Sequence, residues 1–471
     1  MPDAPRTLVA GVDSSTQSTK VVVCDRATGE IVRSGRAPHP DGTEVHPDRW
    51  WEAFGAATTD GLLDGVAAIS VGGQQHGMVA LDESGEIVRD ALLWNDTRSA
   101  QASRDLVDEL GSAAWVDRTG SVPVPSFTVT KVRWLAEHEP ENAQRVAQVV
   151  LPHDWLTGQI LKQGNAFERH VTDRGDASGT GYFSPADGTY LPDIQRLAFG
   201  REFGTPRVLG PSEPAGSTDG GMVVGPGTGD NAGAALGLGL RHGDVVVSLG
   251  TSGAVFADHS VPVKDPSGDV AGFASASGGH LPLMCTLNAA RVLTAAAQLL
   301  GTDLAGLDQL ALAAEPGAGG LTLLPYLDGE RTPNLPEATG TLGGMTRANT
   351  TPENLARAAV EGMLANLVAG VDDLRDLGIP VDRVLLIGGA SASAAVRAVA
   401  PGLFGVPVAI PEPGEYVGLG AARQAAWVLS GEQQPPSWPV RIETTLDPPA
   451  DGRGAEVLAR YAALLSAVHQ H

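Results

Sequence analysis

GVDSSTQSTK, residues 11–20, is the stretch from which the fold can be read. TLVAGV before it and KVVVCD after it are apolar and β-branched, so each is expected to be a buried strand. Between them lies a bend built from Asp13, the hydroxyls of Ser14, Ser15, Thr16, Ser18 and Thr19, and Lys20. Two readings stand open. Asp and Ser side chains bond to neighbouring backbone groups, so the bend serves as an ordinary hairpin turn. The same groups also suit an anionic ligand, with hydroxyls and N–H groups facing phosphate oxygens and a carboxylate facing the accompanying metal.

The pattern returns at VVVSLGTSGAVFAD (245–258), again a strand, a bend of hydroxyls and glycine, and a strand. After the first bend the spacing predicts a third strand near 30–34, a helix over 48–62 and a strand over 66–72. A hairpin follows in MVALDESGEIV, then a helix over 97–110 capped by Thr97. After the second bend come helices over 287–300 and 352–377. VDRVLLIGGASASAAVR (381–397) then reads as a buried strand ending in two glycines with a helix beyond. Two halves opening with one device predict a duplicated α/β unit, divided as 1–242 and 243–471. GEQQPPSWP and DPPADGRG read as connectors, and 454–469 as a terminal amphipathic helix.

The 471 residues are enough for two domains with separate cores. With 55 acidic and 32 basic residues the net charge is -23, which argues against a general nucleic-acid or anionic-membrane surface. It does not exclude one small anion held locally. Cys24 and Cys285 are the only cysteines, so there is neither a disulfide framework nor a zinc spacing. The opening residues carry no secretion-signal pattern and no apolar run is long enough to span a bilayer, so a cytoplasmic protein is expected.

No GxxxxGK[ST] loop and no GxGxxG occurs, so a nucleotide would need another device. Four stretches offer chemistry. GPGTGDNAGAALGLG (225–239) leads glycines into Asp230 and a small-residue helix from about Asn231. There Asp230 is either a helix cap or a carboxylate with room for a ligand beside it. GGQQHG (72–77) sets Gln75 and His76 directly after a strand, where polar residues of α/β proteins face the ligand crevice or simply turn in solvent. WNDTR (94–98) adds Trp94 and Asp96 before a helix, as core and cap or as pocket wall. IGGASAS (387–393) offers Gly388, Gly389 and Ser393 where a flat ring approaches the backbone.

Together these stretches resemble the FGGY carbohydrate kinases of the actin–hexokinase superfamily. Two long family signatures are present. One is SFTVTKVRWLAEH (126–138), with Thr128, Lys131 and Trp134 in register; the other is GTLGGMTRANTTPENLARAAVE (340–361), with Gly340, Gly344, Asn354 and Glu361 in register. GQQHG, LLWNDTR, LPHDWL, GTGDNAG, SLGTSG, LPYLDGERTP and GLGAAR are similar, in the same order, to segments of the members that act on D-xylulose. Two departures are visible: Ser15 stands where many relatives have Gly, and Ser393 where an amide sometimes stands.

The resemblance implies two ribonuclease H-like domains of the actin/hexokinase ATPase type around a central cleft. It also implies ATP with Mg²⁺ as phosphoryl donor and D-xylulose as acceptor. Ribulose, gluconate or glycerol are the alternative acceptors, and an actin-like or chaperone-type ATPase is the more distant alternative. The implied general base is Asp230, and Asp13 holds the metal. Ser14, Ser15, Thr16 and Lys20, with Gly250, Thr251 and Ser252, face the phosphates. Gly388, Gly389 and Ser393 flank the adenosine, and Gln75, His76, Trp94, Asp96 and Asn231 the sugar. A homodimer is compatible with this reading.

Overall fold

Strands form where the sequence alternates small and β-branched residues between Gly, Asp and Ser turns. In the computed structural model, which describes residues 6–164 and 167–469, they assemble one large sheet in each of two units, beside smaller two-stranded ladders. The first unit comprises the chain up to Leu240, Asp258–Leu281 and Gly414–Pro439; the second comprises Arg241–Ala257, Pro282–Pro413 and the chain from Val440.

In the first unit, β1 (Leu8–Ser14), β2 (Ser18–Asp25) and β3 (Ile31–Pro38) form an antiparallel meander. The strand β4 (Val66–Gly73) lies parallel to β1, and β5 (Val223–Val224) and β6 (Thr228–Gly229) lie parallel to β4. The second unit repeats this plan. There β7 (Asp244–Leu249), β8 (Gly253–Ala257) and β9 (His280–Thr286) form the meander, β10 (Arg383–Ile387) pairs parallel with β7, and β11 (Val408–Pro411) with β10. The orders β5-β4-β1-β2-β3 and β11-β10-β7-β8-β9 therefore match strand for strand, and β12 (Ile442–Leu446) closes the second sheet at the β11 edge. The duplication expected from the two bends is present in topology.

Side chains alternate across each strand, so the first sheet buries two faces. Ala10, Val12, Val21, Val23, Ile69 and Val71 pack with Trp50, Phe54, Trp155, Leu156 and Ile160, from the helices Asp48–Ala57 and Pro152–Lys162. Val9, Val22, Cys24 and Ala68 pack with Ala422, Ala425 and Ala426, from the helix Tyr416–Ser430.

This last contact is made backbone to backbone. A Cβ on Gly11 would sit 1.9 Å from the Gly418 carbonyl, and one on Gly420 would sit 1.8 Å from the Gly233 carbonyl. A Cβ on Gly237 would meet the Tyr416 carbonyl at 2.1 Å. In GPGTGDNAGAALGLG, whose glycines the sequence offers as room for a ligand, Gly237 is required by protein packing.

Element ends differ in places from the sequence reading. The first helix stops at Ala57 because Asp60 and Gly61 take positive φ in the following turn. The helix expected from Thr97 is Ala100–Leu110, with Ser99 in the cap position and its hydroxyl donating to the Pro125 carbonyl at 2.9 Å. Among the described residues no helix is long and apolar enough to cross a membrane.

The close packing makes a pair of opposite expectations. Gly420→Ala forces a methyl into a backbone carbonyl and should lower the free energy of unfolding by about 1–3 kcal/mol. Gly55→Ala, in a helix with nothing within 4 Å of the added carbon, should raise it by about 0.5–1 kcal/mol. Urea unfolding of both variants checks this; a Gly420→Ala protein as stable as the parent would mean the helices are not packed in this way.

Candidate active site

In the first unit, three parallel strands end side by side and deliver polar groups to one place. The strand β1 ends at Asp13 and Ser14, β4 runs into Gln74, Gln75 and His76, and β6 runs into Asp230. The registers Asp13↔Gly72 and Gly229↔Gly73 hold these ends level. Carboxyl ends of parallel strands are where α/β folds bind ligands.

Asp13 is 4% exposed. It faces Lys20 across the β1–β2 ladder, and the Lys20 Nζ lies 3.5 Å from Oδ2. The ammonium makes its closer contact, 2.6 Å, with Glu415. Burial raises the pKa of Asp13 against the opposing charge of Lys20. Its second oxygen, Oδ1, is buried and accepts no hydrogen bond among the described residues. A hard, unsatisfied oxygen of this kind fits Mg²⁺, which takes one or two carboxylates together with phosphate and water. Ser14 is buried, Ser15 and Thr16 are half-buried, and the Thr16 hydroxyl accepts from the Trp94 indole N–H at 2.8 Å.

Asp230 is the first residue of the helix Asp230–Leu238, with Gly229 in the cap position. Its Oδ1 accepts from the backbone N–H of Asn231 at 2.7 Å and from the Asn231 side-chain amide at 2.9 Å. Burial pushes the carboxyl up to about 7, with the Asn231 N–H opposing and the charge of Asp13 adding to the rise. The Asn231 amide also reaches Gln75 Oε1 at 3.4 Å. Asp230, Asn231 and Gln75 are thus one bonded group.

His76 adopts φ 67°, an uncommon conformation for a non-glycine residue. The ring is held on several sides: Nδ1 lies 2.6 Å from the Gly179 carbonyl, Phe127 stacks on it at 4.6 Å between centroids, and Phe273 lies at 5.8 Å. A carbonyl only accepts, so Nδ1 carries the proton, and in the neutral ring Nε2 carries the lone pair. Asp96 is the least available of the expected sugar ligands. Its oxygens accept from Thr43 at 2.8 Å and from the Arg98 backbone and guanidinium at 3.0 and 2.9 Å.

The second unit carries the other expected nucleotide residues. Gly250, Thr251, Gly389 and Ser393 line a cavity of about 610 Å³, with Leu249, Leu293, Leu304 and Leu307 in its walls. Gly388 takes φ 90°, and a Cβ there would lie 2.6 Å from the Leu249 carbonyl, so the strand–helix turn requires glycine. Ser393 caps the helix Ala394–Phe404, accepting from the Val396 N–H at 3.1 Å, and its hydroxyl bonds Asp308. Ser252 is half-buried in the bend between β7 and β8.

Several residues beside these were not legible as site residues. Gln74 is 1% exposed, and neither end of its amide has a hydrogen-bond partner among the described residues. Its position in GGQQHG was the available signal. Glu415 reaches Lys20 across 395 residues of sequence, with no local signal at all. Asp308 likewise meets Ser393 only through the fold.

Comparison with known proteins shows the family. Residues 8–231 match the N-terminal domain, and residues 245–429 the C-terminal domain, of the FGGY family of carbohydrate kinases. A protein of Streptomyces coelicolor named xylulose kinase is 50% identical, over 90% of this chain and 89% of that one. The xylulose kinase of Streptomyces rubiginosus is 47% identical, over 98% and 96%. The crystal structure of xylulose kinase from Bifidobacterium adolescentis superposes with a TM-score of 0.91 at 46% identity, covering 98% of this chain and 99% of that one. With both halves matched and the duplicated sheet in place, the chain belongs to the FGGY family of carbohydrate kinases.

Proposed function

We propose that this kinase transfers the γ-phosphoryl group of MgATP to a hydroxyl of D-xylulose, giving D-xylulose 5-phosphate, and does so in the cytoplasm. Asp230 carries the reading: a carboxylate held by Asn231 at a helix start, with a pKa of about 7, suits a base working near neutral pH. The names of its relatives support the sugar.

In this mechanism Asp230 accepts the proton of the attacking hydroxyl as the new O–P bond forms and the bond to the departing ADP breaks. Gln75 and Asn231 hold sugar hydroxyls from the side of the base. His76, its ring held by Gly179 and Phe127, binds another. Trp94 forms a wall and, through its bond to Thr16, ties that wall to the phosphate-facing bend. Asp13 would hold Mg²⁺ through its unsatisfied oxygen, where the ion would supply charge neutralisation for the phosphates. Lys20, pinned between Asp13 and Glu415, fixes the orientation of that carboxylate. Backbone and hydroxyl groups of Ser14–Thr16 and of Gly250–Ser252 receive phosphate oxygens, and the cavity beside Gly389 receives the adenosine. Positioning of this kind supplies most of the catalysis in phosphoryl transfer.

Asp230→Asn keeps the size of the side chain but removes the proton acceptor. Turnover should fall by roughly 10²–10⁴-fold, while ATP affinity measured by calorimetry stays close to that of the parent. Near-normal turnover would remove Asp230 from the role of base.

Acceptor choice is tested by a coupled ADP assay over ketoses and polyols. D-xylulose should give the highest kcat/KM, with D-ribulose about tenfold poorer or worse, because buried polar groups left unpaired penalise the wrong epimer. His76→Ala should raise KM for the sugar and leave that for ATP nearly unchanged. If glycerol, gluconate or D-ribulose outperforms D-xylulose, the acceptor is another one and the kinase chemistry stands.

A further inference from the structure

Beside Asp230 lies a cluster that the reaction above does not use. His153 and Asp154 come from the helix Pro152–Lys162, and Asp176 from the turn of helix Arg174–Ser178; all three are 0% exposed. His153 Nδ1 lies 2.6 Å from Asp176 Oδ2, and its Nε2 lies 3.2 Å from Asp154 Oδ1. Asp154 also accepts the Leu151 N–H at 2.7 Å, and the neighbouring Asp173 accepts Gly175 and Asp176 N–H groups at 2.8 and 3.0 Å. The second oxygen of Asp176 is buried without a partner among the described residues.

The site is built to hold this imidazole. A Cβ on Gly73, the last residue of β4, would lie 2.8 Å from the His153 Cβ, and one on Gly227, just before β6, would lie 2.2 Å from its ring. The turn also touches the reaction groups. A Cβ on Gly175 would meet the Ala232 methyl at 3.5 Å, so the turn packs against the first turn of the helix that starts at Asp230. The Gly179 carbonyl, at the end of the same turn, is the one that fixes His76.

We propose that His153 and Asp176 are a positioning pair that sets the proton affinity of Asp230 through charge, the carboxylate raising it and the imidazolium limiting the rise. This rests on the reading of Asp230 as the base. A carboxylate facing another carboxylate favours the protonated form of its neighbour, and a cation beside it opposes that effect. Burial raises Asp176, and the charge of Asp230 adds to the rise. Burial alone would lower His153, but Asp154 and Asp176 outweigh it and keep the ring protonated. The other ionisable groups around the pair are Asp13 from β1 with its partners Lys20 and Glu415, Asp173 and Arg174 from the turn, and Tyr182 and Tyr190. None of these is altered in the test below.

The test is the pH dependence of kcat/KM for the sugar. Asp176→Asn should move the acid limb down by roughly one pH unit, and His153→Asn should move it up by roughly as much. Asp176→Glu should return it toward the parent value. Loss of packing alone would lower the rates of both variants without moving their limbs in opposite directions. If either variant fails to accumulate as folded protein, Asp176→Ser or His153→Gln takes its place. An absent acid limb, unmoved limbs, or shifts of one sign overturn the proposal. Asp230→Asn separates the two readings: if it abolishes turnover while the limbs stay fixed, the pair falls and the base stands.

Discussion

The arrangement of the first unit depends on one contact, the backbone-to-backbone seating of the helix Tyr416–Ser430. It lies on β1 through Gly11 and Gly418, and on the helix Asp230–Leu238 through Gly233, Gly237 and Gly420. Side chains would hold these elements several ångströms further apart. Because the contact is made of backbone, it has little freedom to shift, and packed interiors transmit such shifts to their neighbours. Three groups of the proposed site hang from it: Asp13 at the end of β1, Asp230 at the start of its helix, and Glu415, which enters the Lys20–Asp13 pair one residue before the helix begins.

Electrostatics is organised around the same contact on a much shorter scale than the net charge of the chain. Asp13, Asp154, Asp173, Asp176 and Asp230 all lie in the first unit, and burial raises each of them. Ordinary proteins avoid such crowding because an unpaired buried charge is costly. Here each acid has a compensating group: Lys20 for Asp13, His153 for Asp154 and Asp176, backbone N–H groups for Asp173, and Asn231 for Asp230. Two of these acids, Asp13 and Asp230, are the ones the proposed reaction provides with a metal ion and a proton.

Much of this was legible because the informative residues are local. The alternation around GVDSSTQSTK and VVVSLGTSGAVFAD specified both meanders, and the two bends in the two halves disclosed the repeat. Asp230, Gln75 and Asn231 could be named from strand-end position and meet as a bonded group. What could not be read was the return of Gly414–Pro439 to the first unit, since no property of those residues alone says which sheet they cover. Glycine reads ambiguously for a related reason. Its lack of a side chain permits the approach of a ligand and of another backbone equally well, and only the fold tells which one arrives. The Ser99 boundary shows a third limit, because Thr97 and Ser99 are equivalent caps by composition, and the Ser99 hydroxyl is turned to the Pro125 carbonyl by the fold.

The two signatures that carried the resemblance contain no reacting group, and their physical role explains why they are nonetheless so specific. Lys131 is fully buried, pushed down to about 7 by that burial, and donates to the carbonyls of Pro125 and Ser126. Those carbonyls precede Phe127, which stacks on His76, and the Thr128 hydroxyl donates to the His76 carbonyl at 3.1 Å. The first signature is thus the clamp behind the His76 ring. In the second, Glu361 accepts from Arg357 at 2.6 Å and from the Gly317 N–H at 2.9 Å, while Asn354 donates to the Asn349 carbonyl at 3.0 Å. Gly344, at φ 72°, leaves only 2.3 Å between an added Cβ and the Gly320 carbonyl. These are contacts of fixed direction between backbone and side chain, which few residue types satisfy. Contacts of this kind, each set by donor, acceptor and direction, occupy many positions along a stretch, whereas a proton-accepting carboxylate occupies one.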